Sequence, residues 1–248
     1  MTHLDESNLI EYGSWDEAVL NSKGYEDPKL IEFFKKQFKS SIENRLAQSG
    51  DVGTSAISER ELHIRLAWLS TVGKFSEVKC ADIGGGNGYM ADWISRMALR
   101  QNVSWNVLDS PMIVNAYSSE GAGLGINFVN LTIESMSEQY DIAIISSTLQ
   151  YLKNWEQVLE KIGSNSKFVV LMRTPFTIES EDRYFVQKTV YGDVVASIPH
   201  IFFSKSKFEE KLNRFFVKLY SVDEHSESFM WKGGKFNMMG YVLESIAR

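Results

Sequence analysis

Residues 81–89 read Ala-Asp-Ile-Gly-Gly-Gly-Asn-Gly-Tyr, and they follow a short apolar run that begins at Val78. Gly84, Gly86 and Gly88 tolerate positive φ angles and carry no side chain, so the backbone at these positions can approach a ligand closely. The spacing G-x-G-x-G differs from the G-x-G-x-x-G of dinucleotide sites, because the stretch ends in tyrosine where the third glycine would stand. The stretch predicts a ligand-binding turn between the first strand and first helix of an α/β domain.

Downstream of this turn, short apolar runs alternate with helical stretches, a pattern typical of βαβ units. The predicted strands cover about 78–83, 104–109, 126–130, 140–146 and 167–173, and the predicted helices cover about 88–100, 111–118, 154–162 and 205–213. Two further strands, Phe216–Tyr220 and Tyr241–Ser245, close the chain. We therefore predict an α/β fold with a mostly parallel seven-stranded sheet that ends in an antiparallel hairpin.

Upstream of the turn, residues 1–75 show no convincing strand. Apolar residues recur there every three or four positions, which predicts two amphipathic helices on Leu30, Phe34, Phe38 and Ile42 and on Leu62, Leu66, Leu69 and Val72. A Gly/Ser-rich joint at 48–55 separates them, and Ser58 with Glu61 predicts a capping box. Residues 1–75 and an insert at about 176–204 are expected to form a cover over the side of a main domain, residues 76–248, where a substrate would bind.

Composition narrows the class of protein. The chain has 248 residues, of which 44% are hydrophobic and 23% charged, which suits one large globular domain. A formal net charge of −6 offers no general attraction to nucleic acid or an anionic membrane, and no apolar run is long enough for a membrane helix. Cys80 is the single cysteine, and no His/Asp cluster has metal-ligand spacing. We expect a cytoplasmic protein without a metal, a nucleic-acid partner or membrane insertion.

Acidic residues lie on both sides of the glycine turn. Asp82 immediately precedes it, where a carboxylate would repel a pyrophosphate but suits a ligand with an ammonium group. Asp109 ends the second predicted strand, where its side chain can accept hydrogen bonds from both hydroxyls of a ribose. An N-cap of the helix that starts at Pro111 is an alternative role for Asp109. The two acids and the glycines predict one binding site.

This arrangement resembles the class I S-adenosyl-L-methionine (SAM) dependent methyltransferases over roughly residues 78–248. The resemblance implies a Rossmann-like fold, SAM as cofactor and S-adenosyl-L-homocysteine as product. It further implies that Asp82 helps hold the methionine end, that the glycines pass beneath the cofactor, and that Asp109 binds the ribose. The implied cofactor-binding residues are Asp82, Gly84, Gly85, Gly86, Gly88, Asp109, Ser110, Asn130, Leu131, Ser146 and Ser147.

A narrower resemblance covers nearly the whole chain. Leu149-Gln150-Tyr151-Leu152, Arg173-Thr174-Pro175-Phe176, Ser14-Trp15-Asp16-Glu17-Ala18 and Gly24-Tyr25 are similar to segments of a bacterial methyltransferase family often linked to surface-polysaccharide gene sets. This resemblance implies a role near polysaccharide biosynthesis and leaves the substrate open.

Four polar side chains are candidates for the acceptor side of the site. Arg173 ends the predicted fifth strand at the sheet edge where α/β folds bind ligands, and either clamps a polar substrate or forms a structural ion pair. Gln150 and Tyr151 follow the fourth strand at the same edge and either contact substrate or pack within their loop. His200 in the insert is the candidate general base. The predicted catalytic residues are His200, Arg173 and Tyr151, and the predicted substrate-binding residues are Gln150, Tyr151 and Arg173.

The favoured interpretation is SAM-dependent methyl transfer, with O-methylation of a small-molecule or glycan-linked acceptor. Two alternatives stay open. One is a nicotinamide-dependent oxidoreductase, and the other is a non-catalytic SAM-binding partner protein. The sequence leaves the oligomeric state undetermined.

Overall fold

A computed structural model describes residues 8–24, 28–36, 58–95, 97–98, 100–132, 134–192, 194–231 and 234–246. The helices within these ranges are α1 (Trp15–Leu20), α2 (28–36), α3 (Glu59–Thr71), α4 (Tyr89–Ser95), α5 (Pro111–Ala122), α6 (Trp155–Asn165) and α7 (Lys205–Phe215). The strands are β1 (Leu9–Tyr12), β2 (Glu77–Ile83), β3 (Asn102–Asp109), β4 (Ile126–Asn130), β5 (Tyr140–Ser146), β6 (Ser166–Thr177), β7 (Arg183–Tyr191), β8 (Val194–Ser204), β9 (Phe216–Trp231) and β10 (Gly234–Ser245).

Five parallel strands form the centre of the sheet in the order β4-β3-β2-β5-β6. Ile142–Ile145 and Phe168–Met172 are buried on both faces, as their continuous apolar runs predict. β10 pairs antiparallel with β6, and β9 lies outside β10. The predicted mostly parallel sheet with a closing antiparallel hairpin is therefore confirmed.

The helices cover both faces of this sheet. Helices α3, α4 and α5 pack on one face, where Trp68, Ile94 and Tyr117 join the apolar core, and α6 and α7 pack on the other. The two groups separate because the chain moves from β2 outward through β3 to β4, and then returns to build β5 and β6 on the other side of β2. Right-handed crossovers in opposite directions place their helices on opposite faces. The reversal between β2 and β5 opens a crevice at the carboxyl ends of the strands.

The insert and the N-terminal region contain strands that the sequence analysis missed. β7 and β8 form an antiparallel hairpin, and β1 pairs with β7. β8 joins the main sheet through two parallel residue pairs with the end of β6. The prediction that residues 1–75 lack a strand is wrong, and the sheet has more strands than the predicted seven. β1 has only four residues, so its conformation depends on pairing with a strand far away in sequence.

Helix α3 is confirmed, but its predicted apolar face is wrong. Ser58 caps the helix by accepting a hydrogen bond from the Glu61 amide nitrogen, as the capping box predicts. However, Leu62, Leu66 and Leu69 are 46%, 49% and 55% exposed, and of the predicted face only Val72, at the C-terminal end of the helix, is buried. The buried residues of α3 are instead Ile64, Ala67 and Trp68. Both sides of the helix carry apolar residues, and the side with the large indole packs against the sheet.

Of two further predictions, one differs from the structure and the other concerns residues outside the described ranges. The predicted helix at 88–100 is shorter, because α4 ends at Ser95. The predicted joint at 48–55, together with Phe38 and Ile42 of the first predicted helix, lies outside the described residues. Among the helices that are described, none is both long enough and apolar enough to cross a membrane.

Candidate functional site

The glycine turn after β2 has the predicted backbone conformation. Gly84, Gly86 and Gly88 have φ angles of 65°, 59° and 72°. A Cβ on Gly84 would lie 2.4 Å from the Thr148 side chain, so this glycine lets the loop after β5 approach the turn. A Cβ on Gly86 would have no neighbour within 4 Å. The middle of the turn is therefore open, and its bare backbone is accessible to a ligand.

Asp82 lies beneath this turn, and its side chain is fully buried. Trp105 Nε1 donates a hydrogen bond to Asp82 Oδ2 at 3.3 Å, whereas Oδ1 has no hydrogen-bond partner among the described residues. Burial raises the pKa of Asp82 to about 7, against the lowering effects of the Trp105 hydrogen bond and of Arg60. Position 85 requires glycine, because a Cβ added there would lie 2.4 Å from the Asp82 carboxyl carbon. Buried polar atoms usually have a partner, so this oxygen is a candidate for contact with a ligand.

Arg60 is a site residue that the sequence analysis missed. It lies in the first turn of α3, and its Nε and Nη2 donate hydrogen bonds to Ser146 Oγ at 3.1 and 2.8 Å. Its guanidinium carbon is 5.2 Å from the centre of the Tyr89 ring. Arg60 also lowers the pKa of Asp82, so cation and carboxylate share one electrostatic environment. No local sequence signal distinguishes this arginine from an ordinary charged residue on a helix.

Asp109 connects the end of β3 to the glycine turn. Its Oδ2 accepts a hydrogen bond from the Gly86 amide nitrogen at 2.9 Å, and its Oδ1 accepts one from the Ser110 amide nitrogen at 2.7 Å. The N-cap of α5 is Ser110, whose hydroxyl accepts from the Ile113 amide nitrogen. The alternative that Asp109 caps this helix is therefore wrong. Burial raises the pKa of Asp109, while the hydrogen bonds from Ser110 and Gly86 lower it.

The remaining predicted cofactor residues lie at the same sheet edge. The Leu131 amide nitrogen donates to the Asp109 carbonyl oxygen at 2.8 Å, which brings Asn130 and Leu131 beside the end of β3. Ser146 is buried at the end of β5. Ser147 has a positive φ of 56°, and its amide nitrogen donates to the Met172 carbonyl oxygen at 3.0 Å. All these residues lie at the carboxyl ends of β4, β3, β2 and β5.

Arg173 does not end its strand as predicted, because β6 continues to Thr177. Instead it lies in a β-bulge: the pairing with β10 shifts between Met239 and Tyr241, and Arg173 has a φ of 53°. Gly240 faces the bulge, where a Cβ would lie 2.5 Å from Met172 Sδ. Burial raises the pKa of Tyr89, and the positive charge of Arg173 acts against this rise, so the guanidinium influences the Tyr89 hydroxyl. Bulges commonly redirect side chains at active sites, and this one directs a cation toward the glycine-turn side of the sheet.

Gln150 and Tyr151 form a short 3₁₀ helix after β5. Gln150 is buried, and its Nε2 donates to the Arg173 carbonyl oxygen at 3.3 Å, whereas its Oε1 has no hydrogen-bond partner among the described residues. Tyr151 donates its hydroxyl proton to Gln187 Oε1 at 3.2 Å. The prediction that Gln150 and Tyr151 reach the same edge as Arg173 is confirmed.

His200 lies in the middle of β8 and is only 1% exposed. Its ring is 5.2 Å from that of Tyr151 and 4.7 Å from that of Phe202. Neither ring nitrogen has a hydrogen-bond partner among the described residues. Burial lowers the pKa of His200 to about 3, so the imidazole is neutral at physiological pH. A neutral imidazole offers one hydrogen-bond donor and one acceptor.

A cavity of about 480 Å³ lies outside this edge, between α4, the start of β3 and the turn before β4. Of the predicted site residues only Gly88 lines this cavity, and Trp105, which was not predicted, lines it too. The described residues also contain no group of three or more histidine, cysteine, aspartate or glutamate side chains positioned to hold a metal ion.

Comparisons with known proteins identify the fold. No protein-family model matches the sequence, and no curated protein matches it. A SAM-dependent methyltransferase from Clostridium acetobutylicum ATCC 824 aligns with a TM-score of 0.54 and 10% identity over 83% of this chain and 98% of that chain. The N-terminal domain of EvdMO1 with SAH bound aligns with a TM-score of 0.53 and 11% identity over 84% and 97%.

The [4+2]-cyclase SpnF is a third similar structure, with a TM-score of 0.54 and 13% identity over 79% of this chain and 85% of that chain. At these identities the similarity shows the fold alone. The chain therefore has the Rossmann-like fold found in SAM-dependent methyltransferases.

Proposed function

We propose that the protein binds SAM and transfers its methyl group to a small-molecule or glycan-linked acceptor. The observation that carries this proposal is the position of Asp82. Its carboxylate is buried at the carboxyl edge of β2, one oxygen lacks a partner among the described residues, and Arg60 influences its charge. An amino-acid group carries both an ammonium and a carboxylate, so it complements this pair of side chains.

The residues of the site fit the parts of SAM. The unpaired Asp82 oxygen suits the ammonium group, and the Arg60 guanidinium suits the carboxylate of the methionine moiety. Gly86 leaves open space beside the bare backbone of the turn. The Asp109 carboxylate lies beyond it with acceptor capacity for ribose hydroxyls. Asn130 and Leu131 then flank the position proposed for adenine.

SAM supplies a methyl carbon on a sulfonium, and its transfer leaves S-adenosyl-L-homocysteine. The protein must hold the acceptor atom in line with that carbon and exclude water, with no covalent enzyme intermediate. We assign this positioning to Gln150, Tyr151 and Arg173. Their positions after β5 and in the bulge of β6 support the assignment, and so does Gln150 Oε1, which has no hydrogen-bond partner in the part of the chain that the structure describes.

Oxygen is the proposed methylated atom, with His200 as the residue that receives the hydroxyl proton. Its ring nitrogens have no hydrogen-bond partner among the described residues, which supports a hydrogen bond from an acceptor hydroxyl. Its apolar surroundings disfavour the imidazolium, so the proton that the hydroxyl loses on methylation must be released to water. The resemblance to methyltransferases of polysaccharide gene sets supports a glycan-linked acceptor.

Two alternatives are retained as outcomes of an experiment. A nicotinamide-dependent oxidoreductase is disfavoured, because the pyrophosphate of NAD would lie close to the Asp82 carboxylate and because the third glycine of the turn is Gly88 instead of residue 89. A protein that binds SAM without methyl transfer is the second alternative, because the fold by itself does not require methyl transfer: a [4+2]-cyclase shares it. Titration calorimetry with S-adenosyl-L-homocysteine and with NAD distinguishes the oxidoreductase from the proposed methyltransferase. A measurement of acceptor turnover distinguishes the non-catalytic SAM-binding protein from it.

We expect the wild-type protein to bind S-adenosyl-L-homocysteine and not NAD. Asp109→Ala and Arg60→Ala should each weaken this binding at least tenfold, because a hydrogen bond to a charged group contributes about 1.5–3 kcal/mol. Asp141→Ala is a matched control. It also removes a carboxylate that accepts a backbone hydrogen bond, from the Lys79 amide nitrogen, but at the opposite end of the strands. Unchanged affinity in folded Asp109→Ala would contradict the assignment of this site.

A further inference from the structure

Trp105 contacts the proposed cofactor site from within the sheet. It lies on β3 opposite Cys80 of β2, and its side chain is buried. The hydrogen bond from its Nε1 to Asp82 Oδ2 joins two buried side chains of neighbouring strands. Because Oδ1 has no partner among the described residues, this bond fixes which carboxylate oxygen stays free.

The indole of Trp105 is itself held in place by neighbouring groups. The ring of Trp68 stacks on it with a centroid distance of 5.9 Å and an interplanar angle of 21°. Trp68 Nε1 donates to Gln101 Oε1 at 2.7 Å, and Gln101 Nε2 donates to the carbonyl oxygens of Val72 and Phe75, each at 2.8 Å. These contacts tie the Trp105 ring to the turn between α3 and β2.

Other ionisable groups around Asp82 oppose or favour its charged form. Arg60 on α3 favours the carboxylate, whereas Asp109 at the end of β3 disfavours it. Burial raises the pKa values of Cys80 on β2 and of Tyr89 on α4, and the Asp82 carboxylate adds to this effect, so both groups remain neutral at physiological pH. Among the described residues, Arg60 and the Trp105 indole both stabilise the buried carboxylate. Arg60 acts through its charge and donates to Ser146, whereas Trp105 donates a hydrogen bond directly to Asp82.

We propose that Trp105 is a positioning residue for cofactor binding: its indole N–H holds one oxygen of Asp82, so that the other oxygen faces the ammonium group of the cofactor. This inference rests on the proposed function, and it adds a residue that the glycine-turn motif does not contain. It also explains why a polar indole edge is placed next to the carboxylate inside an otherwise apolar core.

The test is the pH dependence of S-adenosyl-L-homocysteine binding to Trp105→Phe, measured by calorimetry from pH 5.5 to 8.5. Without the indole N–H the Asp82 carboxylate ionises less readily, so the variant should bind about tenfold more weakly at pH 7. The difference should shrink to about threefold or less by pH 8.5, where Asp82 is ionised in both proteins. The ammonium group of the ligand titrates equally in both experiments and cancels.

Trp155→Phe is the matched control, because Trp155 is buried on the other face of the sheet, where it packs against Phe203 and Phe208. It should retain the wild-type pH profile. A Trp105→Phe protein with wild-type affinity at every pH would overturn the inference. An equal loss at every pH would do so too, since it would indicate packing instead of the hydrogen bond.

A second measurement does not depend on the folding of Trp105→Phe. In the wild type, the NMR signal of the Trp105 indole N–H should shift with pH, with a midpoint near the Asp82 pKa of about 7. Asp82→Asn should abolish this shift, and a shift that persists would refute the coupling. If the wild type shows the shift but does not bind S-adenosyl-L-homocysteine, the proposed function fails while the contact between Trp105 and Asp82 stands. The positioning role is then overturned together with the function.

Discussion

Asp82→Asn should weaken cofactor binding and yet stabilise the ligand-free protein at pH 8. The substitution removes a charge that is buried beneath the glycine turn with one oxygen unpartnered among the described residues. Binding sites often keep such unfavourable groups because a ligand compensates them. The asparagine retains an oxygen that can accept the hydrogen bond from Trp105, so the fold around it is preserved.

The magnitude follows from the pKa of Asp82, which burial raises from 3.8 to about 7. Above pH 3.8 the unfolded chain releases this proton, while the folded protein retains it until about pH 7. Asp82 therefore lowers the free energy of unfolding progressively between pH 3.8 and about pH 7. Above pH 7 the total reduction is about 4 kcal/mol. The asparagine amide nitrogen lacks an acceptor and costs about 1–3 kcal/mol. The expected net stabilisation at pH 8 is about 1–3 kcal/mol.

Chemical denaturation of both proteins between pH 4 and pH 8 measures this effect. The free energy of unfolding of Asp82→Asn relative to wild type should rise by about 4 kcal/mol over this interval, since only the wild type must ionise the buried carboxyl. Asp141→Asn provides the same substitution at the opposite end of the strands. A difference between Asp82→Asn and wild type that is independent of pH would refute the claim that the carboxylate is buried and poorly compensated.

Two further predictions concern the acceptor side. Arg173→Lys keeps the positive charge but loses the planar guanidinium with its paired donors, so it should reduce methyl transfer much more than SAM affinity. Kinetics and calorimetry on one protein preparation check this prediction. Wild-type turnover would assign Arg173 a structural role. S-adenosyl-L-homocysteine should slow amide hydrogen exchange in parts of 8–75 and 176–204 if these segments cover the site, whereas changes confined to 80–150 would show that they do not.

The sequence alone determined the central architecture and the edge of the sheet where the candidate site lies. Continuous apolar runs such as Ile142–Ile145 predict buried parallel strands because a strand covered on both faces has no polar side. The glycine turn and Asp109 were predictable for a related reason. Parallel strands bring their carboxyl ends to one edge, so residues that follow successive strands meet there whatever the details of packing.

Residues whose position depends on distant contacts were not predictable in this way. Arg60 reaches the site only because α3 packs across the sheet, and the bulge at Arg173 depends on the register with β10. Strand β1 depends on pairing with β7, which is far away in sequence, and the β7–β8 hairpin joins the main sheet through β6. The periodicity of a helix or strand shows which of its sides is apolar, but it does not show which other element packs against that side.

The ionisation state of the charged residues was likewise decided by the tertiary structure and not by the sequence. The sequence placed Asp82 before the turn and identified His200 as a candidate base, but neither composition nor spacing indicated how deeply each side chain is buried. Only the packed structure removes water from both groups, and this burial raises the pKa of Asp82 and lowers that of His200. Desolvation and hydrogen bonding depend on all neighbouring groups at once, so the electrostatic character of this site was decided by the tertiary structure.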